Sequence, residues 1–108
     1  MTLREFRDVL CSIPGVTVYH SKAYKAEGDY IVWQEVNGLS LEGDVTSAEK
    51  GVRIAVDFYT RTEYSQIPAE IEFTLSRYDE ICLDGPVIDY EDDTKYTHYA
   101  YTVEVCGG

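Results

Sequence analysis

Basic side chains are scarce in this chain: nine Lys and Arg stand against twenty Asp and Glu, a formal net charge of −11. That balance opposes nucleic-acid binding, which needs cations to displace the counterions of phosphate. It equally opposes attachment to anionic membranes. Long apolar runs are missing too, and none approaches the roughly 18 residues that span a bilayer. The first residues, Met1-Thr2-Leu3-Arg4-Glu5-Phe6-Arg7-Asp8, alternate charge with apolar side chains and lack the continuous segment of a secretory signal. The expected location is a cytoplasm, or a larger particle assembled in one.

Metal and disulfide patterns are also lacking. Cys11, Cys82 and Cys106 are odd in number and widely spaced, with no Cys-x-x-Cys pair. His20 and His98 have no second ligand nearby in sequence. The expectation is three buried or half-buried thiols in a reducing compartment. Cys11 with His20, or Cys82 with His98, lacks the glycine-rich elbow and the third orienting group of a nucleophile–base system. No phosphate-cradling glycine loop is present. The single Gly-Gly, Gly107-Gly108, brings to mind ubiquitin-like carriers, but their strand-first order does not match this chain. Asp89, Glu91, Asp92 and Asp93 offer clustered oxygens, without the central glycine and closing glutamate of a calcium loop; they read as a solvated hairpin turn. No enzyme activity, cofactor or metal is expected.

What is present indicates one globular domain: 108 residues, 44% hydrophobic, with ten tyrosines. Thr2-Leu3-Arg4-Glu5 fits a capping box, and Leu3, Phe6, Leu10 and Ile13, with Val9 beside them, follow at helical spacing up to Pro14-Gly15. Residues 16–21 and 29–36 read as two strands, taken as antiparallel partners, with Asn37-Gly38 ending the second. Residues 39–50 read as an exposed loop. Val52, Ile54, Val56 and Phe58 then alternate along a third strand. A second helix is entered at Ser65-Gln66-Ile67-Pro68, carries Ile67, Ile71 and Leu75 on one stripe and ends around residues 78–80. Asp84-Gly85-Pro86 reads as a turn. Residues 87–90 and 95–105 form a closing hairpin.

The order αββ-loop-βαββ predicts an α+β two-layer domain, with a mainly antiparallel sheet of about five strands and two helices on one face. The core is expected to join Val52, Ile54, Val56 and Phe58 with Phe6, Leu10, Ile71 and Leu75. Ten tyrosines cannot all be buried with their hydroxyls satisfied. Tyr59, Tyr64, Tyr90, Tyr96 and Tyr99 fall at strand ends and on both sheet faces. They reflect either ordinary strand preference or an interface, where exposed tyrosine is favoured.

Several stretches occur together in one order: Tyr30-Ile31-Val32-Trp33-Gln34-Glu35, Val52 through Thr60, Ser65 through Ile71, Gly85 through Thr94, and the last strand with Tyr96, His98 and Tyr99. In that pattern the chain resembles the small tail-terminator, or tail-completion, proteins of long-tailed bacteriophages and prophages. The resemblance implies a non-enzymatic virion protein: a hexameric ring that caps the tail tube, ends its polymerisation and presents a surface for joining the head. Its implied partners are other copies of itself, the tail-tube protein and a head-completion or connector protein, in the virion tail and, during assembly, the host cytoplasm. A carboxylate-lined lumen would repel passing DNA within about 8 Å in physiological salt. Polar and tyrosine-bearing edges are the interface candidates: Asp44 in the 39–50 loop; Tyr59, Arg61, Glu63 and Tyr64 at the end of the third strand; Tyr90, Glu91, Asp92 and Asp93 in the hairpin. The alternatives are a head–tail connector protein, or an acidic module that mimics DNA and occupies a basic groove.

Overall fold

The computed structural model describes residues 1–24, 26–36 and 51–105. Its elements are α1 (Leu3–Cys11), β1 (Thr17–His20), β2 (Tyr30–Glu35), β3 (Val52–Thr60), α2 (Ile67–Ser76), β4 (Ile81–Tyr90) and β5 (Thr97–Val105). The strands form one mixed sheet in the order β1-β2-β3-β5-β4, so β1 and β4 are its edges. Both helices pack on one face, which makes an α+β fold of two layers. Among the described residues no helix is long and apolar enough to cross a membrane.

Local signals set the helix ends. The Thr2 side chain accepts from the Glu5 amide while the Glu5 carboxylate accepts from the Thr2 amide, a closed capping box. Pro68 occupies the first turn of α2, where its missing N–H is not needed. Ser65 accepts from the Ile67 amide at 3.2 Å, and the helix stops at Ser76, short of the expected 78–80.

Alternation sets the core. Ile54, Val56 and Phe58 of β3 and Tyr101, Val103 and Val105 of β5 point at Phe6, Leu10, Ile71 and Leu75, all buried. Phe6 meets the Trp33 ring edge-on, centroids 5.6 Å apart. Val52 departs from expectation. It is 37% exposed, because the β2 ladder ends with Glu35 opposite Ile54 and no β2 residue pairs beside Val52.

Two connections differ from the sequence reading. β1 and β2 pair in parallel, Thr17 opposite Tyr30 and His20 opposite Trp33. A four-residue strand is only about 13 Å long, so residues 21–29 can return the chain to its start. Ser21 and Gly28 supply the left-handed corners of that return, at φ 75° and 71°. Asp84-Gly85-Pro86 is not a turn. β4 runs through it as one strand, with Gly85 and Pro86 together facing Tyr101 as a β-bulge. Gly85 has φ 108°, and a Cβ there would stand 3.0 Å from the Ala100 carbonyl oxygen. A bulge with proline is a common way to blunt an edge strand.

Candidate interaction surface

One end of the sheet is tied together by its loops. Thr60, fully buried, donates to Asp29 Oδ1 at 2.7 Å and accepts from the Thr62 amide. Arg61 leaves β3 and donates from Nε to the Thr94 carbonyl at 2.9 Å, its guanidinium 4.3 Å from the Tyr96 ring centroid. Tyr96, buried, donates to the Gly28 carbonyl at 3.2 Å. The hairpin turn closes on itself: Glu91 accepts from the Thr94 hydroxyl at 2.8 Å, and Asp93 accepts from the Thr94 amide at 3.0 Å.

The predicted interface residues therefore separate. Arg61 and Glu91 are engaged within the fold, so Arg61 is a fastening between two turns as well as a surface charge. Glu63, Asp92 and Asp93 are exposed, and Tyr90 is 54% exposed. Tyr64 is 90% exposed and holds a left-handed φ of 60°. Asp44 lies outside the described residues. Tyr59 is half-buried and belongs to a different surface.

That surface is the sheet face without helices. Strand register places Asp89, His98, Tyr59, Tyr30 and Thr17 in one row across all five strands. Tyr30 stacks on Tyr59 with centroids 4.8 Å apart, and Tyr59 on His98 at 4.5 Å. Tyr19 and Tyr96 meet Tyr30 edge-on. Asp57, one row away, pairs with His98 Nε2 at 2.9 Å. Burial, and then the Asp57 carboxylate, pushes the Tyr59 hydroxyl up to about 12. Burial raises Tyr30 as well. These phenols stay neutral at ordinary pH. The period-two pattern exposed each ring on its own strand. It could not reveal the row, because β2, β3 and β5 are brought into register only by the whole fold.

The imagined thiol–base pairs do not form. His20 instead pairs with Glu35 at 2.7 Å and stacks on Trp33, and that hydrogen bond holds the Glu35 carboxyl below its usual range. Cys82 and His98 lie at opposite ends of the β4–β5 ladder, opposite Glu104 and Asp89 respectively. Cys11 and Cys82 are exposed, contrary to the expected burial, because Cys11 ends the outer side of α1 and Cys82 faces away from the helices. Cys106 lies outside the described residues. Among the described residues, no three His, Cys, Asp or Glu side chains are grouped to hold a metal.

Apolar surface remains along the β4 side. Phe73, Val87, Ile88 and Tyr90 are all more than half exposed. A shallow groove between α2 and β4 is lined by Phe73, Ile81, Leu83 and Gly85. Comparison with family models, curated proteins and solved structures finds no match.

Proposed function

We propose that the protein is a non-enzymatic assembly subunit of a phage tail, which closes as a ring on the end of the tail tube, stops its growth and offers a surface for head joining. The observation that carries this reading is the pair of exposed surfaces that the fold leaves at different places: the loop-tied end with Tyr64 and its carboxylates, and the apolar β4 side with Phe73 and Ile88. A ring needs two different surfaces on each subunit, because its contacts run head to tail. The exposed end with Glu63, Tyr64, Asp92 and Asp93 and the apolar β4 side with Phe73 and Ile88 supply two such surfaces. The pattern resemblance supports the tail-specific part of the proposal.

The test is negative-stain microscopy of the purified protein over a concentration series, with and without tail tubes. Rings seated on tube ends support the reading. Protein that remains small and leaves tube ends bare overturns it. The excess of carboxylates favours one second reading, a DNA-mimicking module. That module would stay monomeric and capture a basic host protein.

A further inference from the structure

The stack of rings on the uncovered face stops one strand short of the sheet edge. Tyr30, Tyr59 and His98 lie nearly parallel, at interplanar angles of 16° and 8°. Their spacing matches the roughly 4.8 Å between neighbouring strands, so each ring covers the next. On the following strand, β4, the same row holds Asp89 in place of a ring. The outer face of His98 thus ends the stack with a carboxylate position beside it. Asp89 and Asp84 are both exposed, and neither has an ion pair among the described residues. Arg53 and His98 on this face are already engaged, with Glu104 at 3.5 Å and with Asp57 at 2.9 Å.

We propose that this end of the stack docks an arginine side chain of a basic protein partner. A guanidinium is planar and continues a ring stack, while its fork of N–H donors matches a carboxylate. Lysine has the charge without the plane. Nucleic acid is repelled by the same carboxylates. A second copy is a poor donor, because its Arg7, Arg53 and Arg61 are already engaged within the fold. The inference stands apart from the ring reading, since it concerns a different face and a different partner.

The probe is a short blocked glycine–arginine peptide, titrated into isotopically labelled full-length protein at physiological salt, with the glycine–lysine peptide as comparison. Amide and ring signals of Tyr59, His98 and residues 87–90 should shift, and the arginine peptide should bind at least about fivefold more tightly than its lysine counterpart. Asp89→Asn, at an exposed position, should cost about fivefold in affinity, while Glu80→Gln, an exposed acid outside the row, should cost less than about twofold. Equal binding of the two peptides, or equal losses in the two variants, would mean diffuse acidity and overturn the proposal. Shifts on the same face that grow with protein concentration alone would assign it to a second copy and overturn it as well.

Discussion

Tyr64 holds a conformation that its own chemistry disfavours, so replacing it separates folding from assembly. It is 90% exposed and sits at φ 60°. A non-glycine residue in that region costs about 1–2 kcal/mol from the approach of Cβ to the following carbonyl. Tyr64→Gly removes this cost. It also gives the unfolded chain more freedom, which costs about 0.4–1 kcal/mol in the other direction. Little burial is lost, because the ring has little. The net is a stability unchanged or raised by about 1 kcal/mol, which moves the midpoint of a domain this size by roughly 4–8 °C at most. Thermal denaturation reads the folding term, and ring counts on tube ends read assembly. The expected result is a normal or higher Tm with fewer rings. A loss of more than about 1 kcal/mol would show that the ring supports the fold. Unchanged ring counts would remove Tyr64 from the interface.

Phe58→Ala, at a fully buried position against the Tyr99 ring, should lower stability by about 3–5 kcal/mol in denaturant unfolding. Arg61→Ala should cost about 1–2 kcal/mol through loss of the Thr94 carbonyl contact and the Tyr96 stacking, and the stacking share of that cost should vanish in a Tyr96→Ala background. Tyr59 titrates later in the folded chain than in the unfolded one. Its contribution is complete below the unfolded value near 10 and is lost as pH rises toward about 12, so unfolding midpoints should fall across that window and Tyr59→Phe should flatten the fall. EDTA should leave the melting temperature unchanged, and a drop of several degrees would reveal a metal, with Asp89 to Asp93 the first place to look.

Signals carried by neighbouring residues were legible in the sequence. The capping box at Thr2 and Glu5 and the alternation from Ile54 to Phe58 both appear as read, because each depends on a few adjacent side chains. The misreadings arise where distant parts decide. β1 and β2 are parallel because the path of residues 21–29 returns the chain, which no alternation pattern encodes. Gly85-Pro86 carries a turn signal, yet pairing with β5 on one side keeps the strand going and turns the signal into a bulge. Val52 has the right parity for the core, but the β2 ladder ends before reaching it. In the candidate surface, Tyr64, Glu63 and Asp92 are exposed as a turn reading implies. The engagement of Arg61 with Thr94 and Tyr96 depends on two loops meeting, and the Tyr30–Tyr59–His98 stack depends on the register of three strands.

The proposed subunit ends tube growth by closing on the tube. The most direct measurement is the length distribution of tail tubes polymerised in vitro from tube protein, with increasing amounts of this protein added during growth. Shorter tubes that stop extending once each end carries a ring, with no effect on tube diameter, are the expected result. Tubes that keep growing at the same rate, with the added protein still free in solution, would contradict it.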